Sequence, residues 1–337
     1  MGPATRVAGS GIPKTILVAP DSFKGTFSAT EVAEAIGRGL QSGGRPVDLC
    51  PVSDGGEGLL AVVLRALGGE AARVEVSDPL GRTVTATFGM LRDGSEAIVE
   101  MSAASGLGLV AEDERDPMAA STYGTGELIV AAIAAGAKRV LVGVGGSATT
   151  DGGRGAVGAI RDHGGLAGAR LVVLCDVRTP YEDAARVYGP QKGADAATVR
   201  RLTARLHTMA RGLGRDPRGV PMTGAAGGLA GGLWAAFGAE LVPGAAFVLD
   251  ALGFDRRMRA ARAVVTGEGK LDRQTLAGKA VSEIATRARQ GGVPCHAIVG
   301  SRGLDAFGAR VLDLQAVLEA GTVAELERAG GELAELL

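Results

Sequence analysis

Aromatic residues are almost missing from this 337-residue chain: phenylalanine, tryptophan and tyrosine make up 3% of it, and Trp234 is the lone tryptophan. Its core must therefore be built from Ala, Val, Leu and Ile, and it has no series of aromatic rings on which nucleic-acid bases could stack. Cysteines number three, Cys50, Cys175 and Cys295. Odd in number and far apart, they exclude a disulfide framework and the paired spacing of a zinc site. Three histidines, His163, His207 and His296, are present, none beside a Ser or Cys motif, which argues against a hydrolase built on an imidazole-activated nucleophile. The charge is nearly balanced at −1, and no basic block occurs. Both facts argue against nucleic acid as a partner. No apolar run approaches membrane-spanning length, so no membrane partner is expected. Residues 1–13 lack the apolar centre of a secretion signal and are expected to be a disordered leader of a soluble, cytoplasmic protein.

What the chain has in excess is glycine, 55 residues. They follow no collagen period and punctuate Val/Leu/Ile runs, so they belong to loops and close packing. The order of elements follows the same punctuation. "KTILVAP" (14–20) reads as a buried strand ended by proline. In the following "DSFKGTFSATEVAEAIGRGL", Ser28 or Thr30 can cap a helix whose Val32, Ala35, Ile36 and Leu40 share a face. Strand 47–52, an acidic glycine turn and a helix near 57–67 repeat the scheme, which is the rhythm of a parallel α/β sheet. Over 71–101 the alternation changes to period two with turn pairs at Asp78-Pro79 and Asp93-Gly94, as in antiparallel strands. The α/β rhythm returns from about 262. The expected organisation is a Rossmann-like domain of 14–70 plus 258–337, with an α/β domain of 71–257 inserted into it.

Ligands of open parallel sheets bind beyond the carboxyl ends of the strands. Five predicted strand ends carry acids here. They are "DSFKG" with Asp21, Ser22 and Lys24; "SDGGEG" with Asp54 and Glu57; "GGSATTDGG" with Ser147, Thr149 and Asp151; Asp176 after "VVLC"; and "GEGKLD" with Glu268, Lys270 and Asp272. Any one of these could be a turn or cap. Together they suit phosphoryl transfer, which needs carboxylates for Mg²⁺, donors for phosphate oxygens and a carboxylate to accept a hydroxyl proton. "LVGVGGSATTDGGRG" (141–155) allows close approach of phosphate to backbone N–H groups. The P-loop pattern GxxxxGK[ST] is absent, so a kinase reading requires another architecture. A dinucleotide reading rests on Gly143, Gly145 and Ala148, but the acid that should follow about 20 residues later is missing. In "YGPQKGA", Lys192 is equally a turn residue or a contact to an anion.

These motifs, in order, are similar to those of the glycerate kinase family of the bacterial glycerate 2-kinase type. The resemblance is carried by "APDSFKGTFSA", "PVSDGGEG", "VEMSAASGLGLV", "STYGTGELI", "GVGGSATTDGG", "CDV", "YGPQKGA", "GAAGGLAGG" and "TGEGKLDRQTLAGKA". It implies a two-domain glycerate kinase I-like α/β fold with the active site in the cleft, ATP and Mg²⁺ as co-substrates, and D-glycerate phosphorylated at a hydroxyl, 2-phosphoglycerate being favoured. On this basis Asp176 is the expected base. Lys24 and Lys192 are placed on the substrate carboxylate or the transferring phosphate. Gly145, Gly146, Ser147, Thr149, Gly267 and Glu268 are placed on the nucleotide, and Asp21, Ser22, Asp54 and Arg178 on the acceptor. Glu268, Asp272 and Asp151 are placed near Mg²⁺. Two departures from the family pattern flank Asp176. The connection between the glycine loop and "CDV" is short, and Arg178-Thr179-Pro180-Tyr181 stands where the family has Asp-Asn-Pro-Leu. Arg178 adds positive charge, so a more anionic 2-hydroxy acid is an alternative acceptor. A catalytically idle sugar-acid-binding module is the alternative from another class. Homo-oligomerisation is left open.

Overall fold

The computed structural model describes residues 14–337; the leader expected over 1–13 lies outside them. Eleven strands form two sheets. In chain order they are β1 (Ile16–Pro20), β2 (Val47–Leu49), β3 (Gly69–Ser77), β4 (Thr83–Leu91), β5 (Glu96–Glu100), β6 (Arg139–Gly143), β7 (Arg170–Cys175), β8 (Glu240–Pro243), β9 (Ala263–Leu271), β10 (Cys295–Arg302) and β11 (Leu314–Glu319). The first sheet has the order β11-β10-β9-β1-β2 and is parallel throughout. The second has the order β3-β4-β5-β6-β7-β8. It is antiparallel across β3/β4/β5 and parallel from β5 to β8. The period-two stretch of 71–101 thus becomes a β-meander leading into a parallel sheet.

Each sheet is covered on both faces, which explains why its central strands are continuous apolar runs and not alternating ones. In β1, Ile16 and Val18 pack with the helices Ala29–Ser42 and Val323–Leu336, while Leu17 and Ala19 pack toward the helix Ala280–Gly291. The second sheet buries Val140, Val142, Leu171 and Val173 under the helices Tyr123–Ala134, Arg154–Asp162 and Ala225–Phe237. Its other face carries Ile98, Leu141, Val172 and Leu174. These meet Leu59, Val62 and Val63 of the helix Leu59–Leu67 and Val248 of the helix Gly244–Ala251.

Those last two helices join the sheets. The helix Leu59–Leu67 follows β2 in the chain but packs on β4 and β5. The helix Gly244–Ala251 directs Val248 to the second sheet and Ala245 and Leu249 to the first. Apolar residues on opposite sides of one short helix therefore make the two sheets share a continuous core. The short connection after the glycine loop is a turn over 163–169, where Gly164, Gly165, Ala167 and Gly168 all have positive φ. It joins the end of the helix Arg154–Asp162 to the amino end of β7. Asp176 follows the carboxyl end of that strand, six residues away and on the order of 20 Å at the usual rise. That turn is therefore remote from Asp176 in space, although it lies close to it in sequence.

Candidate active site

Counted within its own sheet, the five-stranded order is 2-1-3-4-5, and the connections change direction between β1 and β9. That junction is the crevice where doubly wound sheets take ligands. Pro20 pairs with Gly267 across it, and the Asp21 N–H donates to the Gly267 carbonyl at 2.8 Å. Asp21, Ser22 and Glu268 therefore emerge side by side. They open into a cleft of about 470 Å³ whose lining includes Lys24, Asp54, Asp272 and Lys279. Phe23 and Phe27 exchange backbone hydrogen bonds of 2.9 and 3.0 Å, closing the small loop that presents Lys24. The Ser22 N–H donates to Asp21 Oδ1 at 2.7 Å, and Ser22 Oγ is buried without a partner among the described residues.

The loop after β2 crosses from this crevice to the second sheet. A Cβ on Gly145 would stand 2.5 Å from Gly56 Cα, and one on Gly143 would stand 2.6 Å from the Gly55 carbonyl. Only glycine lets the two loops touch backbone to backbone. Asp54 is thereby buried at the junction, where its Oδ2 accepts from Lys24 Nζ at 3.1 Å and its Oδ1 from the Gly56 N–H at 3.0 Å. Burial alone would raise the Asp54 pKa, but the charge and hydrogen bond of Lys24 outweigh it and hold the carboxyl below its usual range. Burial pushes Asp21 well above that range, and Asp54 adds to the effect. Burial opposes the charge on Lys24, yet Asp54, Asp21 and Asp176 prevail and keep its pKa raised.

Asp176 is half-buried at the end of β7. Its pKa is pushed up to about 6, by burial first and then by Asp54, against the pull of Lys24 and Lys279. Glu268, pushed up to about 7 by burial, accepts a hydrogen bond from Thr275 Oγ1. Asp272 Oδ1 accepts from the Gln274 N–H at 2.8 Å.

The glycine loop after β6, which touches the β2 loop at Gly145, is held by its own set of hydrogen bonds. Leu107 and Ala148 N–H groups donate to Gly146 and Ser105 carbonyls, pinning the loop to the 101–108 segment. Among the described residues, the N–H groups of Gly145, Gly146 and Ser147 have no acceptor. Lys192 is buried beneath the loop, where its Nζ donates to the Thr149 carbonyl and to Ser147 Oγ. Burial pushes its pKa down to about 7, with Asp151 opposing. Asp151 accepts from Thr122 N–H, Thr122 Oγ1, Gly153 N–H and Gly155 N–H at 2.8–3.0 Å, which saturates its carboxylate. Arg178 is exposed and makes no ion pair among the described residues.

The fold thus gathers Asp21, Ser22, Lys24, Asp54, Gly267, Glu268 and Asp272 at one crevice, with Asp176 within electrostatic reach. It places Ser147, Thr149, Asp151 and Lys192 in a hydrogen-bonded core beneath the glycine loop, and Arg178 at the surface. Lys279 lines the cleft and was not singled out from the sequence. Its signal was there: a lysine directly before a helix, where a capping Ser, Thr, Asp or Asn is expected.

The Glycerate kinase family profile matches residues 16–163 and 160–336. The chain belongs to the glycerate kinase family. The two matched segments overlap at 160–163, at the end of the helix Arg154–Asp162. A glycerate kinase of Halalkalibacterium halodurans is 40% identical over 326 residues, covering 86% of each chain. A glycerate 2-kinase of Escherichia coli is 37% identical over 324 residues, covering 85% of each. A solved structure assigned as glycerate kinase 2 of Salmonella typhimurium LT2 superposes with a TM-score of 0.79 at 34% identity. It covers 96% of this chain and 98% of that one. The two-domain α/β family fold expected from the motifs is the one found. Among the described residues, no helix is long and apolar enough to cross a membrane.

Proposed function

We propose that this enzyme transfers the terminal phosphoryl group of ATP to a hydroxyl of D-glycerate in the cleft beside β1 and β9, in the cytoplasm. The observation that carries the reading is the junction of Lys24 and the buried Asp54, next to the unpartnered Ser22 Oγ, at the switch point of a family-wide fold. The acceptor hydroxyl oxygen attacks the γ-phosphorus, the bond to the ADP oxygen breaks, and the hydroxyl proton passes to Asp176. A carboxyl with a pKa near 6 is ionised at neutral pH and more basic than an ordinary aspartate, which suits that role. Lys24 and Ser22 bind the acceptor carboxylate, with Asp54 fixing Lys24. The free N–H groups of Gly145, Gly146 and Ser147 bind phosphate oxygens, and Lys192 holds that loop in shape from beneath.

Among the described residues, no three metal-ligating side chains are clustered. Mg²⁺ in kinases is held by one or two carboxylates together with substrate phosphates, so Glu268 and Asp272 at the cleft fit it while the saturated Asp151 is left out. Bound there, Mg²⁺ supplies charge neutralisation on the phosphates. The 2-hydroxyl is favoured as the acceptor because a 37% identical relative is a glycerate 2-kinase. Arg178 is outside the cleft lining and has no part in the reading.

The test is purified protein with ATP, Mg²⁺ and D-glycerate, with products read by phosphorus NMR. The expected products are ADP and 2-phosphoglycerate. Absence of both ADP and a new phosphate ester rejects the reading, and faster turnover of a more anionic hydroxy acid replaces glycerate as the acceptor.

A further inference from the structure

Two lysines near the proposed site meet oxygen atoms in opposite settings. Lys24 is paired with the carboxylate of Asp54. Lys192 is 2% exposed, and among the described residues it forms no ion pair. Its Nζ donates to the Thr149 carbonyl and to Ser147 Oγ, both uncharged. An ammonium carries three N–H donors and a neutral amine two. Two acceptors therefore satisfy the amine, while the third N–H of the ammonium finds no partner.

The charges around Lys192 do not supply one. Asp151 acts on it through its field, but the Asp151 oxygens are taken by Thr122, Gly153 and Gly155. Arg115 lies against Gly193 and is paired with Glu112 at 3.8 Å. Tyr181 donates its hydroxyl to the Gly152 carbonyl, and burial keeps that phenol protonated. Burying a cation without a counter-ion favours its neutral form, and the pKa of about 7 at Lys192 has that cause.

The other face of the same loop has donors with nothing to bind. Among the described residues, the N–H groups of Gly145, Gly146 and Ser147 have no acceptor. Ser147 joins the two faces: its N–H is one of the free donors, and its Oγ accepts from Lys192. A phosphate on those N–H groups sets a negative charge one residue away from the buried amine.

We propose that a nucleotide phosphate bound to the N–H groups of Gly145, Gly146 and Ser147 draws a proton from solvent onto Lys192 Nζ, so that MgATP binding is coupled to proton uptake. The inference rests on the kinase reading above and makes Lys192 a positioning residue whose charge is completed by the ligand. Binding is then at full strength below about pH 7 and weakens above it, because each further pH unit removes more of the protonated lysine from the free enzyme.

The test is calorimetric titration of the full chain with MgATP, glycerate withheld, at pH 8 in two buffers of different ionisation enthalpy. About 0.9 proton should be taken up per nucleotide bound, and Kd should rise by up to about tenfold from pH 8 to pH 9. Lys192→Met should bind with no uptake and with the same Kd at both pH values. Glu268→Gln and Asp176→Asn should keep the uptake, which assigns the proton even where Lys192→Met does not fold. Binding without uptake in wild type overturns the proposal and leaves the kinase reading standing. Uptake that persists in Lys192→Met, or vanishes in either carboxyl variant, also overturns it. If MgATP does not bind at all, both readings fail.

Discussion

Lys24 Nζ lies 3.1 Å from Asp54 Oδ2, and the two partners are unequal: the lysine side chain is 46% exposed, the aspartate 1%. Removing either member therefore has a different cost. In Lys24→Met a buried carboxylate loses its cation, and at pH 7 the expected loss is about 3 kcal/mol of folding stability. In Asp54→Asn the ammonium is rehydrated, and the expected loss is below about 1 kcal/mol. The deficit of Lys24→Met should shrink as the pH falls, because a carboxyl held below its usual range contributes stability above its unfolded pKa and loses it as it protonates. Urea denaturation at pH 7 and pH 4 measures both, and equal losses at pH 7 would contradict the argument.

Asp176 carries the opposite sign. Its folded pKa of about 6 lies above the ordinary aspartate value, so its favourable share of stability is complete below pH ~4 and is lost as the pH rises through 6. Asp176→Asn should accordingly be more stable than wild type at pH 7.5, by on the order of 2 kcal/mol, with the gain vanishing below pH ~4. Its turnover should fall by about 100-fold or more, and wild-type activity should decline on the acid side of pH ~6. Wild-type-like turnover in this variant removes Asp176 as the base.

Tyr181 is wholly buried, and its hydroxyl donates to the Gly152 carbonyl at 3.2 Å, tying the segment after β7 to the glycine loop. A Cβ on Gly231 would stand 2.5 Å from the ring Cδ2. Tyr181→Phe should cost about 1 kcal/mol and Gly231→Ala about 1–3 kcal/mol. Thermal melts of Gly231→Ala, Tyr181→Leu and their combination test the contact. Strictly additive losses would mean that the two residues do not meet.

The turn over 163–169 lies at the amino end of β7, away from the cleft. A short Gly/Ser insertion between Gly165 and Leu166 should leave kcat and KM unchanged and shift the melting temperature by only a few degrees, roughly. A changed acceptor preference would show that the turn reaches the site.

Much of this architecture was legible in the chain itself. Strands β1, β6 and β7 announce themselves as apolar runs, and the acids following them stand at carboxyl ends because a parallel sheet aligns those ends. What was not legible depends on distant partners. Asp151 is saturated by Thr122, twenty-nine positions away, and Lys192 is buried by a loop more than forty positions before it. No local pattern separates these residues from the cleft acids and lysines, since all sit in glycine-rich turns.

The sequence by itself determined the parallel α/β class, the chain order of the loops and the chemical types available for phosphoryl transfer, because hydrophobic period and turn chemistry act over a few residues. Only the tertiary structure decided which of those groups share a crevice. The helices Leu59–Leu67 and Gly244–Ala251 bury apolar faces between two sheets, and the Gly56–Gly145 contact brings two loops to backbone distance. Burial at that junction, which no residue's identity encodes alone, makes Asp54 a fixed anion and Asp176 a stronger base.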